Sequence, residues 1–125
     1  MDEQGKLKLL EEILAKMNSS VSPEEVLDFL IDRCIEITGA LTGSIMLINP
    51  ETNILDIKVF RGLPPEKVAL TKLKVGEGVT GQVALTGKPQ IINDADEVNY
   101  YVRIREDLKS ELVVPLKLED KIIGV

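Results

Sequence analysis

Three glycines in the run Gly76-Glu77-Gly78-Val79-Thr80-Gly81 have the spacing Gly-x-Gly-x-x-Gly. Asp94 and Asp96 follow near the distance at which a dinucleotide-binding unit places its ribose-binding acid. In such a unit the glycines let the backbone approach a pyrophosphate at a helix N-terminus. The neighbouring residues oppose that chemistry. A helix starting after Gly78 can run only to about Thr86, because Gly87 and Pro89 punctuate a helix C-terminus. A helix that crosses between parallel strands usually needs more length.

Other chemistry is limited by what the chain lacks. It has no histidine and one cysteine. Without histidine there is no Ser-His or Cys-His nucleophile pair and no imidazole ligand. A structural zinc site needs several Cys or His, which one thiol cannot supply, so no metal is expected. Cys34 falls within an apolar helical pattern and reads as a small buried hydrophobe. Only Arg33 beside it could activate the thiol, which leaves a reactive role as the lesser alternative. A lone cysteine also excludes an internal disulfide and fits a reducing, cytoplasmic setting.

Composition narrows the partners. The chain has 125 residues, one domain's worth, with 44% hydrophobic and 29% charged residues, enough apolar content for a core. Aromatics are 3%, so that core must be aliphatic. The net charge of -6 repels phosphate backbones and anionic lipid, so neither nucleic acid nor membrane is an expected partner. No apolar run reaches the roughly 20 residues of a membrane-spanning helix. The polar start Met1-Asp2-Glu3-Gln4 is wrong for a signal peptide.

The elements follow from periodicity and punctuation. Residues 6–18 read as a helix. Leu7, Leu10, Leu14 and Met17 make a coiled-coil seam, widened by Leu9 and Ile13. That stripe is either a dimerisation surface or an ordinary face packed on its own domain. Ser22-Pro23-Glu24-Glu25 starts a second helix with a capping box, ended by Gly39. Residues 41–49 form a strand whose unbroken run Ile45-Met46-Leu47-Ile48 needs cover on both faces. Residues 54–61 alternate. Leu55, Ile57 and Val59 share one face, with Asp56 and Lys58 on a wet one, as at a sheet edge. The turn between these strands makes them an antiparallel hairpin, unlike a dinucleotide fold. A helical turn at 66–70, an extended 72–75, a short helix at 79–86 and a strand at 90–92 come next. Residues 93–109 form a long polar connection anchored by Tyr100, Tyr101, Val102, Ile104 and Leu108. Residues 110–118 form a strand with Leu112, Val114, Leu116 and Leu118 on one face and a break at Pro115. Residues 122–125 begin another.

Four stretches in this order resemble a GAF domain. They are Leu41-Thr42-Gly43-Ser44-Ile45-Met46-Leu47, Gly76 to Ala84 with Thr86-Gly87-Lys88-Pro89, Ile92-Asn93-Asp94-Ala95, and Ser110 to Leu116 with Lys121-Ile122-Ile123-Gly124-Val125. The resemblance spans residues 20–125 and implies an α+β fold. A central antiparallel sheet would carry the N-terminal helices on one face, with loops and short helices on the other. Residues 1–19 would be an added amphipathic helix. The family's final helix has no counterpart here, and its loss would expose an apolar strip for self-association. Members that bind ligands do so on the loop face. Mapped here, the floor would be Ser44, Met46, Leu112 and Val114, and the walls Val79, Ile92, Tyr100 and Tyr101. Each apolar member taken alone is more simply read as plain core. The tyrosines are better candidates, having an apolar ring and a polar tip. Asn93, Asp94 and Asp96 either orient a ligand or form a solvated turn, the simpler reading. No bilin or haem is expected. The loop cysteines of GAF-type methionine sulfoxide reductases are missing, and no cyclic-nucleotide motif is recognisable.

The resemblance therefore implies a non-enzymatic regulatory module that senses a small molecule, dimerises, or both. Two alternatives remain: a nucleotide-binding enzyme domain using Gly76-x-Gly78-x-x-Gly81, and a PAS-type interaction domain. The two helices ahead of the first strand favour GAF over PAS.

Overall fold

A computed structural model describes residues 1–19 and 21–125. The boundary expected between the first helix and the domain falls at Ser20, outside the described residues. Helix α1 (Glu3–Met17) begins earlier than the periodicity predicts, because the Asp2 carboxylate accepts from the Gly5 amide at 2.7 Å and caps it. Helix α2 (Pro23–Thr38) starts as expected. Ser22 Oγ accepts from the Glu25 amide, Pro23 opens the first turn, and Gly39 ends the helix.

Strands β1 (Gly43–Asn49) and β2 (Ile54–Arg61) form the expected antiparallel hairpin. Helix α3 (Pro65–Leu70), strand β3 (Leu73–Lys74), helix α4 (Gly78–Thr86) and strand β4 (Gln90–Ile92) follow. After a 3-10 turn at Ala95–Glu97 and a long irregular segment come β5 (Glu111–Val113), β6 (Leu116–Leu118) and β7 (Lys121–Gly124). The main sheet has the order β3-β2-β1-β7-β6 and is antiparallel throughout. Strands β4 and β5 pair separately, also antiparallel.

Two apolar layers sandwich the sheet. On one side Ile31 of α2 packs with Ile45 and Val59, flanked by Leu27, Leu30 and Ile35. On the other, Met46, Leu55 and Leu73 meet Val79, Val83 and Ala84 of α4, with Ile92, Ala95 and Val113. Ile45 and Met46 thus point to opposite cores, as the unbroken apolar run of β1 requires.

Three expectations are corrected. First, the alternating residues of β2 do not share one face. Ile45 pairs with Val59 and Met46 with Ile57, so Lys58 is the extra residue of a bulge. The bulge sends Val59 to the α2 layer while Leu55 and Ile57 join the α4 layer. Nor is β2 an edge by order, although β3 pairs only with Ile54 and Leu55. Second, residues 110–118 are not one strand. Pro115 cannot donate to a ladder, and the chain changes sheets there, β5 pairing with β4 and β6 with β7. The inward residue of β5 is Val113. Leu112 and Val114, expected to face the core, are 58% and 48% exposed. Third, Cys34 is exposed rather than buried. It lies one residue from Ile35, which packs against the sheet, and so points about 100° away.

These placements separate two leucines that the alternation treats alike. Leu55→Ala is expected to cost about 2–5 kcal/mol through lost burial and a cavity. Leu112→Ala should stay within about 0.5 kcal/mol. Urea denaturation of both variants measures the difference.

Candidate functional site

The glycine run builds a tight corner between β3 and α4. Gly76 and Gly78 both have positive φ, +98° and +65°. The corner closes on itself: the Gly76 amide donates to Gly81 O at 2.8 Å, and Gln82 Nε2 donates to Gly76 O at 3.0 Å. The Lys74 amide donates to Glu77 Oε2 at 3.2 Å. A Cβ at Gly81 would stand 2.6 Å from Lys74 O, so the third glycine is needed for close backbone packing. A Cβ at Gly78 would meet Val102 Cγ2 at 3.2 Å. The long loop thus lies against the start of α4, where a dinucleotide fold would seat its pyrophosphate. Antiparallel strands and a covered helix start overturn the dinucleotide alternative.

That covering segment, residues 95–109, is here called the strap. Its neck is closed by the β4–β5 ladder and by the Ala95 amide donating to Lys109 O at 2.7 Å. Val98 and Tyr101 pack on the α4 core. Two arginines order the rest. Arg103 donates through Nη2 to Asp96 at 2.5 Å and through Nε to Leu108 O at 3.2 Å, and its guanidinium lies 5.8 Å from the Tyr101 ring centre. Arg105 grips Asp107 with Nε at 2.6 Å and Nη2 at 3.0 Å, while Nη1 donates to Gly62 O at 3.0 Å. Hydropathy gave no weight to these arginines. The available signal was the alternation Arg103-x-Arg105-x-Asp107, a spacing that suits local ion pairing in an irregular segment.

The residues expected to line a ligand pocket part company. Met46, Val79 and Ile92 come together, but as packed core with Val83 and Val113. Ser44 shares the face of Met46 by alternation and is half-buried. Tyr101 is half-buried beside them. Leu112, Val114 and Tyr100 lie outside, and the Tyr100 hydroxyl reaches only Gln90 Oε1 at 3.5 Å. Asn93 and Asp94 are exposed, and the Asp94 carboxylate accepts from the Asp96 amide at 3.0 Å. That bond is the cap of the expected turn. Two open clefts among the described residues lie elsewhere. One of about 210 Å³ separates β2 from α3, and one of about 390 Å³ runs beside the β1–β2 turn.

One titratable residue unnoticed in the sequence sits at the strap's root. Glu111 of β5 lies opposite Ile92 and is half-buried. Burial pushes its carboxyl above the usual range, partly offset by a hydrogen bond from Tyr101. Burial, then the Glu111 carboxylate, drive the Tyr101 hydroxyl strongly upward. The hydrogen bond from Arg103 holds Asp96 below its ordinary range.

With this geometry in hand, the GAF domain family model matches residues 20–125. The chain belongs to the GAF domain family. Among solved structures, the GAF domain of the Acinetobacter phosphoenolpyruvate-protein phosphotransferase superposes with a TM-score of 0.83 at 26% identity, covering 99% of this chain and 75% of that one. The Nif-specific regulatory protein of Azospirillum lipoferum is 33% identical over 90 residues, 66% of this chain. The free methionine-R-sulfoxide reductase of Saccharomyces cerevisiae is 36% identical over 76 residues, 60% of this chain. The matched segments span 14% and 40% of those two proteins. Segments similar to this chain therefore occur in a protein named as a regulator and in one named as an enzyme. Among the described residues no helix is long and apolar enough to cross a membrane.

The raised Glu111 fixes the sign of a pH effect. A carboxyl whose folded value lies above its unfolded one is penalised when ionised. The penalty is present above the folded value and absent below the unfolded one. Asp96 acts oppositely, stabilising above its unfolded value and losing that contribution as pH falls through its lowered one. Glu111→Gln keeps an acceptor for Tyr101 and removes the ionisation. Its melting temperature should exceed that of the parent at about pH 8, and the gap should close near pH 4. Calorimetry across that range measures it.

Proposed function

We propose that this chain is a non-catalytic regulatory module that pairs with a second copy through α1 and senses a small molecule on its α4 face. The exposed seam of α1 carries the pairing half of this reading. Leu7, Leu10, Leu14 and Met17 are 58%, 56%, 56% and 62% exposed. An adjoining face of α1 is already used, and Leu9 and Ile13, expected to widen the seam, belong to it: both are half-buried, Glu12 pairs with Arg33 of α2 at 3.2 Å, and Lys16 lies 5.9 Å from the Phe29 ring centre. A helix packed on its own domain by one face and keeping an a/d stripe beside it has the form of a coiled-coil partner. Homodimers through such a stripe are isologous and close on themselves. Sensing is supported by family membership and by the strap over α4. A ligand there would alter an output only by binding two conformations unequally.

The yeast relative raises an enzymatic reading, which Cys34 argues against. Cys34 is the only thiol and stands on α2, across the sheet from α4 and the strap. A thiol cycle needs a nucleophile at the substrate and a second thiol to resolve it. A cytoplasmic regulator without metal, haem or bilin fits the residues present.

Leu10→Glu with Leu14→Glu is expected to convert a dimer to a monomer in sedimentation while leaving the circular dichroism spectrum intact. An unchanged mass removes the α1 interface. Incubation with free methionine-R-sulfoxide and a dithiol should give no turnover, and turnover would replace the regulatory reading with a catalytic one.

A further inference from the structure

We propose that the strap, residues 95–109, is a lid that turns about the β4–β5 neck and is latched shut by Arg105 on the Gly62 carbonyl. The strap is stiffened from within. Arg103 spans it from Asp96 to Leu108 O, and Asp107 holds the Arg105 guanidinium in a two-point grip. A segment braced this way moves as a unit rather than fraying residue by residue. Its attachments to the body are few. The neck is fixed by backbone pairing at 90–92 and 111–113. Away from the neck, the single polar tie among the described residues is Arg105 Nη1 to Gly62 O at 3.0 Å, across 43 positions of sequence. The remaining hold is apolar and, apart from Ala95 buried at the root, shallow. Val98 and Tyr101 are only partly buried on the core, and Val102, seated on Gly78, is 48% exposed. Segments with few buried apolar contacts open at low cost.

Opening would carry Tyr101 away with the strap and uncover Val79, Ile92 and the Glu111 carboxyl. The face that is solid core when latched would then hold an apolar hollow with a polar end. This reconciles a packed site with a binding role, since the hollow belongs to the open form. The lid needs no ligand to exist and so goes beyond the sensing reading, which its test leaves untouched.

Native-state hydrogen exchange read by mass spectrometry tests it. Arg105→Gln should speed exchange roughly tenfold in peptides covering 76–84 and 95–109 while leaving α2 unchanged. Asp107→Asn, which leaves the arginine but loosens its grip, should give the same pattern at smaller amplitude. Unchanged exchange in both variants, or acceleration spread equally over α2 and β1, overturns the lid.

Discussion

Strand β1 must satisfy two apolar layers at once, and the rest of the molecule follows from that constraint. Ile45 and Met46 are adjacent and buried, and they point to opposite sides of the sheet. A strand buried on both faces cannot stand at a solvent boundary. Helix α2 therefore has to cover one side and α4 with the strap root the other. The bulge at Lys58 is the device that lets β2 serve both layers. A regular strand would commit Leu55, Ile57 and Val59 to a single face and starve the α2 layer of Val59. One extra residue reverses the remaining side chains, so a pattern that reads as half-wet supports two cores.

The same feature explains what could and could not be read in the sequence. Local punctuation was legible. Ser22 with Pro23 and Gly39 bounds α2, and Gly87 with Pro89 ends α4, because caps act through backbone groups a few residues away. Register was not. Whether Val59 faces one core or the other depends on a partner strand ten or more residues distant, which alternation alone does not encode. The split at Pro115 failed for a related reason. The missing donor announced a break, but only tertiary pairing decides that β5 and β6 belong to different sheets. Leu112 and Val114 were consequently placed inward, whereas Val113 is the residue that the core receives.

For the candidate site, the apolar half was legible and the polar half was not. Met46, Val79 and Ile92 come together as packed core and fill the space they were expected to line. The glycine run was separable from a phosphate cradle because the helix after it is too short. The structure adds the positive reason, a corner closed by Gly76, Gly81 and Gln82 and capped by Val102. Arg103, Arg105 and Glu111 do not stand out in the apolar pattern. Charged residues in a polar loop ordinarily mean solvation, and a hydrogen bond from residue 105 to residue 62 leaves no trace in periodicity.

The terminus of β2 gathers the polar ties that fasten α2 and the strap to the sheet. Arg61 Nη2 binds Asp28 at 3.0 Å and Nε binds Asp32 at 2.9 Å, fastening α2 to the sheet. The next residue, Gly62, receives Arg105 from the strap. These ion pairs are partly exposed, so each contributes modestly to stability, about 0–1 kcal/mol for a typical surface pair. Their importance lies in position. Helix α2 carries α1, held by Glu12–Arg33, and α1 carries the unpartnered seam. Two neighbouring backbone positions thus stand between the strap over α4 and the helices on the far side of the sheet. A displacement at Gly62 bears directly on the residue that clamps α2. A change on the loop face would have only one peptide bond to cross, from Gly62 to Arg61, to reach the helix layer. Coupling along it requires only that the latched and open straps set residue 62 differently.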